Sequence, residues 1–215
     1  MKIRAQALLF DNDGTLVSSL DSVDRCWARW AEEYGITEEY ARVELHGRPA
    51  VDIVAELLPA DVVPEALARI ETLEVEDVPN GGVHLLPGTK AFLDPLPADR
   101  WAVVTSATRR LAEARLDAVG ILPKTMVTAD DITRGKPDPE PYLLAARELG
   151  VDPAHCVVFE DAPAGLTAGR AAGMTTVALT TTHQARELDA DLVVKDLSAL
   201  SALVMDGGVE ISVRD

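Results

Sequence analysis

The chain has 215 residues, 47% of them hydrophobic, which is enough to bury a proper core as one large domain or two modest ones and too apolar for disorder. Its 36 acidic residues outnumber 20 basic ones, and the formal charge of −16 repels nucleic acid and anionic membrane surfaces. The same charge disfavours a small anionic substrate unless the site holds a cation, and Mg²⁺ is the natural candidate.

The amino terminus, MKIRAQALLF, lacks the long apolar stretch and small-residue cleavage site of a secretory signal, and no apolar run approaches membrane-spanning length; a cytoplasmic protein is expected. The apolar run Ala5 to Phe10 reads as a strand ending in DNDGT. Asp11 and Asp13, at i and i+2, can both lean toward one point beyond the strand's carboxyl end, and Gly14 lets the backbone turn there. An ionised aspartate beside Mg²⁺ can attack phosphorus while a second carboxylate handles the leaving oxygen's proton. An acidic turn is the plain alternative for this motif taken alone. What phosphoryl transfer still needs is a phosphate anchor, a positive charge and further metal ligands.

From Ser18 to about Asn80 the pattern is helical without a convincing strand: Asp21 to Tyr34, Glu38 to Leu45, Val51 to Leu58 and Pro64 to Glu76. This interval reads as an inserted helical cap over the carboxyl end of a sheet. Trp27 and Trp30, at i and i+3, are expected in the core of that unit. Its exits near Val17 and at Pro79-Asn80-Gly81-Gly82 suit either a hinge or a plain loop.

Downstream, the short apolar runs Trp101 to Thr105, Thr125 to Thr128, Cys156 to Phe159, Thr175 to Leu179 and Asp191 to Val194 alternate with helical patterns over Thr108 to Val119, Asp138 to Leu149 and Pro163 to Ala172. The helical patterns end at Gly120, Gly150 and Gly173, and the rhythm is that of a parallel sheet. Thr105 and Ser106 put hydroxyls and free backbone N–H groups at the sheet edge, near a helix start that Ser106 or Thr108 could equally well cap. Lys136, flanked by prolines in RGKPDPEPY, is held at a defined place where it can neutralise a phosphorylated aspartate. Glu160 and Asp161 arrive at the same edge, where converging carboxylates call for a bound cation, although Asp161 would also serve as a helix N-cap. Cys26 and Cys156 lack metal-site spacing and read as core thiols. The tail GGVEISVR alternates like a terminal strand.

Taken together, DNDGT, VVTS, RGKPDPEPY and FEDAPAGLTAG, in this order, resemble the haloacid dehalogenase superfamily of phosphotransferases. The resemblance implies an α/β, Rossmann-like parallel sheet core flanked by helices (1–17 and 82–215) with an inserted all-helical cap (18–81). It implies Asp11 as nucleophile, Asp13 as general acid/base and backbone-carbonyl metal ligand, Asn12 as an N–H donor, and Thr105, with Ser106, as phosphate ligands. Lys136 would bridge nucleophile and phosphate, and Asp161 with Glu160 and Asp11 would hold Mg²⁺. Within the superfamily the chain is most similar to sugar- and polyol-phosphate phosphatases. The competing class, β-phosphoglucomutase, usually places a His where this chain has Val23 and an Arg where it has Ala50, although Arg48 could substitute. Arg48, His46 and Glu44 are candidate cap contacts. The expectation is a Mg²⁺-dependent phosphatase working through an aspartyl phosphate on a small phosphorylated metabolite, as a monomer or weak homodimer.

Overall fold

The structure, a computed structural model, describes residues 2–43 and 50–214. Its strands are β1 (Lys2–Ala5), β2 (Ala7–Phe10), β3 (Val17–Ser18), β4 (His84–Leu85), β5 (Trp101–Val104), β6 (Met126–Val127), β7 (Cys156–Glu160), β8 (Thr175–Leu179), β9 (Leu192–Val194), β10 (Leu200–Met205) and β11 (Gly208–Val213). Its α-helices are α1 (Leu20–Tyr34), α2 (Thr37–Tyr40), α3 (Ala50–Leu57), α4 (Val63–Asp77), α5 (Thr89–Leu93), α6 (Arg109–Ala118), α7 (Glu140–Leu149) and α8 (Pro163–Ala171).

Six strands form a parallel sheet in the order β6-β5-β2-β7-β8-β9. Each of the six runs expected from the sequence contributes a strand to it. Residues of β2, β5 and β7 are all buried, and all but Glu160 at the end of β7 are apolar, because helices cover both sheet faces. On one face Leu8, Phe10, Val103, Val157 and Phe159 pack with Phe92, Leu116 and Leu197. On the other, smaller residues such as Ala7, Ala102 and Val158 admit Tyr142, Ala145 and Ala146 of α7 and Ala168 of α8. Chain order reverses at β2, which has β5 on one side and β7 on the other, and the carboxyl ends of strands at such a switch point open into a crevice.

Helices α1, α3 and α4 bury a core of their own from Cys26, Trp27, Trp30, Ile53, Val54, Ala66, Ile70 and Leu73. Trp30 donates its indole N–H to the Ala66 carbonyl at 3.0 Å, so the expectation of tryptophans in this core holds. The connections into and out of the helical unit run side by side as β3 and β4, pairing Val17 with Leu85 and Ser18 with His84.

Two expectations are corrected. The run Ala5 to Phe10 breaks at Gln6: LysIleArgAla alternates charged and apolar residues and joins the antiparallel sheet β1-β11-β10, whereas the wholly apolar ALLF enters the central sheet. Lys2 and Arg4 there reach Glu210 at 2.6 and 3.1 Å. The helix expected over Glu38 to Leu45 is the single turn α2, followed by turns through Val43; Leu45 lies outside the described residues. The tail is a strand as expected, but its partner β10 and the short β3 and β4 carry too little pattern to read from sequence.

Candidate active site

Asp11 follows β2 directly, its N–H donating to the Phe159 carbonyl at 3.0 Å. The chain then folds over itself: the Asn12 carbonyl accepts from the N–H groups of Thr15, Leu16 and Val17. Gly14 has φ +90°, and a Cβ there would lie 2.2 Å from the Asp161 Oδ2, so both conformation and space require glycine. Lys136 reaches across the β2–β5–β7 edge. Its ammonium donates to Asp11 Oδ1 (2.6 Å), Glu160 Oε1 (2.7 Å) and the Val104 carbonyl (2.9 Å). Glu160 also accepts from Tyr142 Oη at 3.0 Å and, through Oε2, from the Asp161 and Ala162 N–H groups. Asp161 accepts from Thr15 Oγ1 at 3.2 Å and from Thr182 Oγ1.

Asp11, Glu160 and Asp161 each offer a carboxylate oxygen within 4.8 Å of the others. Burial raises the Asp11 carboxyl well above its ordinary range; Lys136 opposes this, while Glu160 and Asp161 add to it. Burial and then the Glu160 charge push Asp161 up to about 7, against the pull of Thr182, Lys136 and Thr15. Burial alone would lower the Lys136 ammonium, but Asp11 and Glu160 outweigh it and hold the lysine charged. An all-oxygen set of crowded acids in excess of its one lysine is the donor chemistry of a hard divalent cation, so these residues fit Mg²⁺.

The structure brings Asp11, Asp13, Thr105, Ser106, Lys136, Glu160 and Asp161 to one cleft of about 270 Å³, with Asn12 buried beneath it. Thr105 Oγ1 accepts from the Ala107 N–H at 3.1 Å. The cap of α6 is Thr108, which accepts from the Leu111 N–H, and Ser106 is left free of that role. The N-cap position of α8 falls on Ala162, so Asp161 is not a cap. Arg48, His46 and Glu44 lie outside the described residues. Asp13 lies apart from the three clustered carboxylates: its Oδ1 accepts from Ser19 Oγ (2.7 Å) and Arg115 Nη1 (2.9 Å), its Oδ2 from the Asn12 amide (3.1 Å). Leu20, Val23, Trp27 and Ile53 form an apolar wall opposite.

Sequence reasoning missed Arg115 and Glu74, which pair at 3.1 Å in the cleft. Both sit on buried helical stripes, Arg115 with Leu111, Ala112 and Leu116 and Glu74 with Ala66, Ile70 and Leu73, and a charge on an apolar stripe is the signal that could have found them. Tyr142, Thr15 and Thr182 were also missed, being separately unremarkable in sequence.

The sheet with its switch-point crevice, and acids facing one buried lysine, define an α/β protein with an acid-rich site at the strands' carboxyl edge. The model of the haloacid dehalogenase-like hydrolases matches residues 5–173, and the chain belongs to that family. It is 36% identical over 211 residues to hexitol phosphatase A of Escherichia coli, covering 96% of this chain and 98% of that one. It is 38% identical over 203 residues to the validoxylamine A 7'-phosphate phosphatase of Streptomyces hygroscopicus subsp. limoneus, covering 88% and 93%. A β-phosphoglucomutase structure from Clostridium difficile shares the fold at a TM-score of 0.74 and 22% identity, over 90% of this chain and 92% of that one.

Proposed function

We propose that the chain is a Mg²⁺-dependent phosphatase that hydrolyses a small sugar or polyol phosphate through an aspartyl phosphate, with a core at 1–17 and 82–215 beneath a helical cap at 18–81. The observation that carries this reading is the Lys136 ammonium shared between Asp11 and Glu160, with Asp161 beside them. The similarity to hexitol phosphatase A and the validoxylamine phosphatase supports the substrate class.

Asp11, Asp161 and the Asp13 carbonyl, with Glu160 beside them, would hold Mg²⁺, which when bound neutralises the phosphate charge and lets the nucleophile approach it. Thr105, Ser106 and the Asn12 N–H would hold the phosphoryl oxygens, and Lys136 would lower the cost of ionising Asp11 and keep it turned toward phosphorus. Asp11 attacks, the ester P–O bond breaks, and Asp13 gives its proton to the departing alkoxide. Asp13 then takes a proton from the water that hydrolyses the acyl phosphate. The apolar wall of Leu20, Val23, Trp27 and Ile53 limits water around the reacting atoms. The mutase reading is the weaker one: Val23, where those enzymes usually carry a histidine, faces the cleft as part of that wall.

A phosphate-release screen over hexose, pentose, polyol and nucleotide monophosphates tests the proposal. Asp11→Asn should retain the fold by circular dichroism and lose about 10⁴-fold or more in release rate, as removal of a nucleophile does. EDTA should silence the wild type and added Mg²⁺ restore it. Full activity in Asp11→Asn, or indifference to EDTA, rejects it.

A further inference from the structure

Among the described residues, Arg115 is the second cation lining the cleft, and nothing in the proposed phosphate chemistry uses it. It projects from α6 with its side chain only 5% exposed. One end of the guanidinium, Nη1, donates to Asp13 Oδ1 at 2.9 Å, and the other, Nη2, donates to Glu74 Oε1 at 3.1 Å. Nε has no partner among the described residues, so the side chain is held through its two ends alone. Glu74 belongs to α4 of the helical unit and is itself buried. A second tie joins the same two helices, Thr108 Oγ1 donating to Glu71 Oε1 at 2.8 Å. The acid at the chemical centre is therefore connected to α4 of the helical unit through one planar ion.

The geometry at Asp13 gives this connection a chemical use. Oδ1 accepts from both Ser19 and Arg115, whereas Oδ2 meets only the Asn12 amide. Two donors on Oδ1, one of them charged, leave Oδ2 as the less engaged oxygen of the carboxyl. A planar guanidinium anchored at both ends adds the one charged contact that restrains the rotation of that carboxyl, beside the neutral contacts from Ser19 and Asn12.

We propose that Arg115, anchored by Glu74 of the helical unit, is a positioning residue for proton transfer: it orients the Asp13 carboxyl so that Oδ2 delivers its proton to the departing ester oxygen. In that step the Asp11–phosphorus bond forms and the P–O ester bond breaks. Its electron pair stays on the ester oxygen, and the Asp13 proton goes to that oxygen, releasing a neutral alcohol. Because Glu74 comes from the helical unit, the acid is aligned only when α4 is docked on α6. The inference rests on the phosphatase reading above.

Leaving-group dependence tests it. An alkoxide is a strong base and cannot depart unprotonated, whereas p-nitrophenolate leaves without a proton. The kcat/KM for glycerol 1-phosphate and for p-nitrophenyl phosphate, which reports the steps through P–O cleavage, is compared in wild type, Arg115→Met and the double variant Arg115→Met/Glu74→Met. The double variant removes both buried charges of the pair, so neither remains unpaired should the single variant fold poorly. Expected is a loss for glycerol 1-phosphate about 10-fold or more greater than the loss for the aryl ester, in the range that general acid catalysis supplies. Equal losses on both esters in the folded variants overturn the proposal and leave Arg115 a structural ion pair. Failure of the phosphatase reading is distinguishable, because wild type would then release phosphate from neither ester in the presence of Mg²⁺.

Discussion

Gly165 and Gly14 show how tightly individual residues are set around the acids. A Cβ on Gly165 would fall 1.7 Å from Glu160 Oε1, the oxygen that receives Lys136 and Tyr142, so the first turn of α8 must be glycine for Glu160 to keep its place. Gly165→Ala is predicted to lower the thermal midpoint, by an overpacking cost of about 1–3 kcal/mol, and to lower activity further as the lysine loses its anchor. An unchanged melt with full activity would contradict that packing. Asp11, Lys136, Glu160 and Asp161 were legible because acids and a proline-fenced lysine at strand ends form a local pattern. Arg115 and Glu74 were not, because charged residues on helices are solvated by default, and only their placement on buried stripes separates them from surface ions.

Among the elements, β2 and β7 are joined by an aromatic knot immediately beneath the acids. Phe10 stacks on Phe159 with centroids 4.6 Å apart, and Phe92 of α5 meets Phe10 and Phe159 edge-on at 6.1 and 5.5 Å. Each phenylalanine directly precedes a site acid, Phe10 before Asp11 and Phe159 before Glu160, so the packing that holds the strands together also sets the spacing of the carboxylates. Phe10→Ala is expected to cost about 3–5 kcal/mol in urea unfolding, since the closely surrounded cavity cannot collapse. A cost below about 1 kcal/mol would mean that the knot is not a principal brace. The central strands were readable as continuous apolar runs bounded by turn residues. The division at Gln6 was not, since the change from alternating KIRA to unbroken ALLF spans too few residues for a period to declare itself, and β10 pairs only with a strand from the tail.

For the molecule as a whole, a charge of −16 with a cluster of buried acids makes stability depend on pH and on cations. With Asp161 raised to about 7 from an ordinary 3.8, the folded protein binds more protons than the unfolded chain between those values. Stability of the metal-free protein therefore falls as pH rises through that window, by on the order of a few kcal/mol before relaxation, and is not regained above it. Mg²⁺ should accordingly raise the thermal midpoint more at about pH 8 than at about pH 5. An equal or reversed difference would show that the acids do not share a cation. Among the described residues no helix is long and apolar enough to cross a membrane. The most direct measurement is to acid-quench the wild-type protein during turnover of glycerol 1-phosphate with Mg²⁺ and map the phosphorylated peptide by mass spectrometry. An acid-stable, base-labile phosphate on Asp11 is the predicted result. Phosphate on another side chain, or continued turnover by Asp11→Asn, would contradict the assignment of Asp11 as the group that accepts phosphorus.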